Sequence, residues 1–309
     1  MRFSIFQDTD VGARASNQDR MGYCFSRESL LMIVADGMGG HLRGEVAAQL
    51  SMQTAAAMFQ QTAQPRLADP AEFLEQAFRA SHRELHRYRE QQGLPECPRT
   101  TIVACVIQDN LAWWAHAGDS RLYLLRDGML ATRTRDHSKV ESLLNLGLIT
   151  QEETGTHPER NKVLNCLGSP FEPSVEVHSE FPLRAGDVIL LCSDGFWSGI
   201  EEVEMARELQ GEPVMEVVPR LVHRSVQRNG ATADNTTALA LQWDIDAAVD
   251  DGIPTLSSLG LPDGAVTTTI AIGSSPGAEG DTSDLTEDEI ERTIAEIQNA
   301  IQRANRESR

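Results

Sequence analysis

Six apolar runs constrain how this chain can fold: LLMIVA (30–35), TTIVACVI (100–107), LAWWAHAG (111–118), RLYLLR (121–126), VILLCS (188–193) and TTALALQW (236–243). Each has the length and composition of a strand. Asp109-Asn110 and Asp127-Gly128 separate neighbouring runs, as the two-residue turns of antiparallel hairpins do. Long helices are predicted over 44–61 and 70–92, between the first two runs, and a third near 214–228, interrupted at Pro219. Many hairpin-linked strands with few long helices point to packed sheets flanked by helices rather than a doubly wound parallel sheet. Residues 138–165, polar and helical between strand regions, read as an inserted flap, and no internal repeat is visible.

Several of these runs adjoin an aspartate. Asp36 follows LLMIVA and precedes Gly37; Asp194 follows VILLCS and precedes Gly195; Asp119 follows LAWWAHAG; Asp234 precedes TTALALQW; Asp19 lies just ahead of MGYCF. A lone aspartate at a strand end commonly forms a turn or caps a helix. The recurrence of the pattern, twice as Asp-Gly, points instead to carboxylates gathered around a cation, since half-buried carboxylates repel one another unless a cation sits between them. Oxygen ligands without cysteine select a hard divalent ion, magnesium or manganese before zinc. Gly37 lets its own carbonyl face an ion, and Gly39 and Gly40 leave room for a bulky anion.

Net charge is −19, and residues 244–309 carry 14 acidic and four basic side chains. That balance argues against nucleic acid as a partner and suits a site that concentrates cations. The five cysteines form no CxxC pair, so buried thiols in a reducing compartment are expected. No apolar window is long enough for a membrane span, no signal peptide is visible, and a cytoplasmic protein is expected. The histidines at 82, 86, 116, 157, 178 and 223 show no metal-ligand spacing; His82 and His86, four apart on a charged helix, read as a solvated face. Residues 244–284, rich in Gly, Pro, Ser, Thr and Asp, read as a linker, within which AVTTTIAI either pairs as a strand or docks. Residues 285–309 read as an amphipathic helix: Thr286 and Glu289 have capping-box spacing, and Ile290, Ile294, Ile297 and Ile301 share a face. That helix packs on the main domain or docks a partner.

The blocks RASNQD, ADGMGGHLRGE, AHAGDSRLYLLRDG, RDHS, HPERN, LLCSDG and ADNTT occur in an order that resembles the metal-dependent (type 2C) serine/threonine protein phosphatases, bacterial members in particular, over roughly residues 8–243. The resemblance implies an α+β fold, a four-layer αββα sandwich of two mainly antiparallel sheets flanked by helices, with a helical flap at about 138–165 inserted in a phosphatase domain spanning 1–243. It implies two Mn2+ or Mg2+ ions per site and a weaker third. Asp36 would bridge the pair, the Gly37 carbonyl would bind one ion, and Asp194 and Asp234 would hold the other. Asp119, with Asp194, would bind the third. Asp19 would orient the attacking water or touch an ion, Arg14 would grip the phosphate, and His41 would be the general acid.

This chemistry suits a phosphate monoester. Paired cations make hydroxide available near neutral pH and offset charge repulsion as it attacks phosphorus, with no phosphoenzyme. A guanidinium presents paired donors to phosphate oxygens, which favours arginine at position 14. His41 can protonate the departing alkoxide. No cysteine lies in a CxxxxxR loop, which sets cysteine phosphatases aside. The expected substrates are phosphoserine and phosphothreonine proteins, those of a partner kinase and the kinase itself. The alternatives are a pseudophosphatase that binds phosphoproteins without turnover, which the intact Asp36, Asp194 and Asp234 oppose, and a partner-switching regulator.

Overall fold

Alternate side chains of the segment Ser29–Gly37 enter two different cores, which is why its apolar run is unbroken. Leu31, Ile33 and Ala35 belong to one buried cluster, and Leu30, Met32 and Val34 to another. The computed structural model, which describes residues 1–38, 43–244, 255–262 and 264–270, repeats that alternation across two antiparallel sheets. In chain order the strands are β1 (Arg2–Asp10), β2 (Asp19–Phe25), β3 (Ser29–Gly37), β4 (Thr100–Gln108), β5 (Leu111–Ala117), β6 (Arg121–Arg126), β7 (Met129–Arg133), β8 (Glu176–Pro182), β9 (Val188–Cys192), β10 (Thr236–Asp244), β11 (Leu256–Ser257) and β12 (Thr267–Thr268). One sheet runs β11-β1-β10-β9-β6-β7 and the other β12-β2-β3-β4-β5-β8.

The helices are α1 (Gly44–Thr62), α2 (Pro70–Gln91), α3 (Lys139–Asn145), α4 (Gln151–Thr154), α5 (Asp194–Trp197), α6 (Glu202–Gly211) and α7 (Val214–Asn229). Helices α1 and α2 cover the β2-β3-β4-β5 face, and α6 and α7 cover the β1-β10-β9-β6 face. A third apolar layer, including Phe3, Trp114, Leu191 and Trp243, lies between the sheets. The result is the four-layer αββα arrangement that the resemblance implied. Local chemistry supports the elements. The Asp69 carboxylate accepts the Ala71 and Glu72 N–H groups, with Pro70 in the first helical turn, so α2 starts there. Asp109 and Asn110, at φ 53° and 59°, and Asp127 and Gly128, at φ 52° and 73°, take the left-handed turns that match strand twist in the β4–β5 and β6–β7 hairpins.

Several details differ from expectation. Helix α7 runs through Pro219 without a break. The proline forgoes one backbone hydrogen bond, and burial of Val217, Val218, Leu221 and Val222 holds the helix against the sheet. The expected linker contributes structure: β11 pairs with β1, β12 pairs with β2, and Ile270 is buried against the α1–α2 core. Without them, β1 and β2 would present unpaired edges. His82 is not solvated. It is 5% exposed, and its Nδ1 accepts the Gly168 N–H at 3.2 Å, because residues 166–169 fold over that face of α2. All five cysteines are buried and unbonded. Among the described residues no helix is long and apolar enough to cross a membrane. Gly39, Gly40, His41 and the predicted helix over 285–309 lie outside the described residues.

Candidate active site

Antiparallel order brings the carboxylates together. Strand β2 begins at Asp19, β3 ends at Gly37, and β4 begins at Thr100, with Asp19 opposite Asp36 and Asp36 opposite Thr101 in register. Strand β5 ends at Ala117, two residues before Asp119. In the other sheet β9 ends at Cys192, two before Asp194, and β10 begins two after Asp234. All these termini fall at one end of the sandwich. Asp19, Asp36 and Asp119 come from one sheet; Arg14, Asp194 and Asp234 follow or precede strands of the other.

Between them is a cavity of about 480 Å3 whose wall includes Arg14, Asp36, Gly37, Asp119, Asp194 and Asp234. Asp19 is 4% exposed and sits behind it. Burial, and then neighbouring carboxylates, push Asp36 and Asp119 well above the ordinary carboxylate range. The same causes raise Asp194 to about 6, and burial raises Asp19 to about 7 against the hydrogen bonds that favour its charge. Arg14 reaches in from the rim and donates to Asp234 Oδ2 at 2.6 Å.

The supports were not evident from sequence. The Ser193 hydroxyl donates to Asp19 Oδ2 at 2.7 Å while accepting the Thr237 N–H, which leaves Asp19 Oδ1 buried with no partner. Asn235 fixes the loop carrying Arg14: its Oδ1 accepts the Gln18 N–H, and its Nδ2 donates to the Val11 and Ser16 carbonyls. The Thr100 hydroxyl donates to the Asp36 carbonyl. Asn161 and Val163 of the flap also line the cavity, and an adjoining space of about 540 Å3 continues past Arg160 and Trp197. His41, the expected acid, is outside the described residues.

Gly37 has a packing reason beyond its carbonyl. A Cβ there would lie 2.3 Å from the Gly44 oxygen and 2.8 Å from the Gln18 oxygen, where the end of β3 crosses the start of α1. Gly37→Ala is therefore expected to cost about 1–3 kcal/mol of stability by overpacking. Urea denaturation of both proteins checks this; equal midpoints would show that α1 yields freely.

The residues present fit hard divalent ions. The donors are carboxylate oxygens from both sheets plus a strand-end carbonyl, and one carboxylate oxygen is buried without a partner. Four of the carboxyls have raised pKa values, as a cluster of like charges requires when protons alone relieve the repulsion.

Comparison with known proteins finds phosphatases of one family. The family profile described as Protein phosphatase 2C matches residues 9–239. The serine/threonine phosphatase stp of Listeria monocytogenes is 32% identical over 241 residues, covering 77% of this chain and 94% of its own. The crystal structure of the Mycobacterium tuberculosis serine/threonine phosphatase PstP/Ppp superposes with a TM-score of 0.68 at 33% identity, covering 79% of this chain and all of that one (100%). The catalytic domain of PstP in complex with two manganese ions gives a TM-score of 0.65 at 32% identity over 78% of this chain and 99% of its own.

Proposed function

The chain belongs to the protein phosphatase 2C family, and on that premise we propose that its carboxylate cavity hydrolyses phosphoserine and phosphothreonine in proteins by direct attack of water. The observation that carries this reading is the convergence of Asp36, Asp194, Asp234 and Asp119 from two sheets on one cavity with Arg14 at its rim. Asp36, Asp194, Asp234 and the Gly37 carbonyl would hold two Mn2+ or Mg2+ ions, and Asp119 with Asp194 would hold a weaker third. When bound, the ions lower the pKa of water and offset the charge of the phosphate dianion. Asp19, fixed through Oδ2 by Ser193, keeps Oδ1 free to orient the attacking water. Arg14 exchanges Asp234 for phosphate oxygens, and His41 gives a proton to the departing alkoxide. The substrates include those of a serine/threonine kinase and the kinase itself, encountered in the cytoplasm, where five unbonded cysteines stay reduced.

The test is release of phosphate from a phosphothreonine peptide by purified protein across a Mn2+ titration, with chelator as control. Activity that rises with Mn2+ and disappears with chelator supports the reading; folded protein without metal-dependent turnover overturns it in favour of phosphoprotein binding alone. Within the same assay, Arg14→Ala is expected to raise KM for the peptide about tenfold or more, the size of a lost charge-assisted hydrogen bond. An unchanged KM would remove Arg14 from the phosphate.

A further inference from the structure

Away from the carboxylate cavity, His116, His137 and Glu176 bring ligand atoms within 4.8 Å of one another. The composition suits zinc, but the geometry does not. The two imidazoles are stacked, with centroids 4.3 Å apart and planes 19° from parallel, so their in-plane lone pairs run side by side instead of converging. Moreover, His137 Nδ1 is already an acceptor, for the Asn165 side-chain amide at 2.8 Å and the Gly118 N–H at 3.3 Å. The Asn165 amide is held in that orientation: its Oδ1 accepts the Ser174 N–H and its Nδ2 also donates to the Ser174 carbonyl. The proton of neutral His137 is thus on Nε2, which faces Glu176 Oε2 at 3.4 Å and has no lone pair for an ion.

What His137 holds is therefore the informative feature. Gly118 immediately precedes Asp119, and His137 grips it twice: its backbone N–H donates to the Gly118 carbonyl at 2.9 Å, and its Nδ1 accepts the Gly118 N–H. Gly118 sits at φ +124°, where a Cβ would lie 2.4 Å from Thr101, so this turn depends on outside contacts to hold its shape. On the far side the Asp119 carbonyl accepts the Trp197 indole N–H at 2.9 Å. The same histidine anchors the flap. Leu164 N–H donates to the His137 carbonyl at 2.8 Å, Asn165 binds its ring, and Ser138 pairs with Val163, a residue of the cavity wall. His116 is the floor of the assembly, 2% exposed, with Nε2 donating to the Arg135 carbonyl.

We propose that His137 is a positioning residue that ties the Gly118-Asp119 turn to both ends of the flap, so that the flap's seating sets where the Asp119 carboxylate stands. The proposal rests on the phosphatase reading of the cavity. Displacing the flap, as a bulky protein substrate would, moves Asp119 through one imidazole and leaves Asp36 and Asp234 where their strands hold them.

Two variants of the full-length protein separate the contributions. His137→Phe keeps a ring stacked on His116 and removes the acceptor; His137→Asn loses the stack and returns an acceptor oxygen near the Nδ1 position. Three readouts apply: amide exchange across residues 116–120 without metal, Mn2+ binding isotherms, and steady-state kinetics on a phosphothreonine peptide. In His137→Phe, exchange across 116–120 is expected to accelerate. The weaker Mn2+ component and kcat should each fall about tenfold, as loss of a ligand-orienting contact does, with KM within about twofold and the tight ions unaffected. His137→Asn should recover most of each. The proposal is overturned if His137→Phe matches wild type, if His137→Asn is equally impaired, if tight and weaker Mn2+ binding decline together, or if wild type binds no weaker ion. Failure of the phosphatase reading is seen separately, in the wild-type arm, as absence of Mn2+-dependent turnover.

Discussion

Asp194→Asn is expected to abolish turnover and, in the same protein without metal, to raise stability. The two effects have one origin. Asp194 is held among Asp234, Asp36 and Asp19, where burial and like charge make its carboxylate costly. Asparagine fills nearly the same space without charge, so the metal-free variant should gain about 3 kcal/mol at pH 7.5, the cost of charging a carboxyl raised from about 3.9 to about 6. It also removes an anionic ligand. Cation stabilisation of the transition state amounts to several kcal/mol, so Mn2+-dependent hydrolysis should fall about a thousandfold or more at 1.36 kcal/mol per tenfold. Thermal unfolding with chelator and initial rates with Mn2+ measure both. A variant that is inactive because it is less stable would contradict the assignment of Asp194 to the cation site.

The second large effect concerns pH. Asp19 and Asp194 stand at about 7 and about 6 in the folded, metal-free chain, against about 3.9 for an unfolded aspartate. Between those values the folded state binds more protons than the unfolded one, so this contribution to stability is lost as pH rises through 6 and 7. His82 and His116 run the other way, since burial lowers both and favours the folded state at higher pH. Comparing Mn2+-loaded with metal-free protein at each pH cancels the histidines. The gap in unfolding free energy between the two forms is expected to widen by about 4 kcal/mol or more from pH 5 to pH 7.5, at 1.36 kcal/mol per unit, because cations replace protons at the carboxylates. Denaturant titrations at the two pH values give the gap directly. A constant gap would mean that the carboxylates are already charged without metal.

The legibility of the chain followed burial. Strands β3, β4, β9 and β10 are packed on both faces, so their apolar runs stand out. Strands β7 and β8 are the outermost of their sheets and carry polar residues, and β1 is only partly buried along much of its length, so none of the three announces itself. Asp36 and Asp194 were conspicuous as carboxylates ending apolar runs. That they share a cavity was not, because convergence depends on which strand ends the antiparallel order collects. Ser193 and Asn235 carry no spacing signal; their partners, Asp19 and Gln18, lie 174 and 217 residues away. His82 was misread because its neighbours in sequence are charged, while the segment that covers it comes from beyond the flap.

The division of the site between two sheets has a further consequence. Asp36 and Asp119 hang from one sheet, Asp194 and Asp234 from the other, and the inter-sheet layer, with the Ser193–Asp19, Gln18–Asn235 and Trp197–Asp119 hydrogen bonds, keeps the two halves in step. Phe3, Trp114 and Trp243 line no part of the cavity, yet as filling between the sheets they act as the gauge block that sets its width. Wear in that layer would appear as lost turnover before it appeared as lost folding.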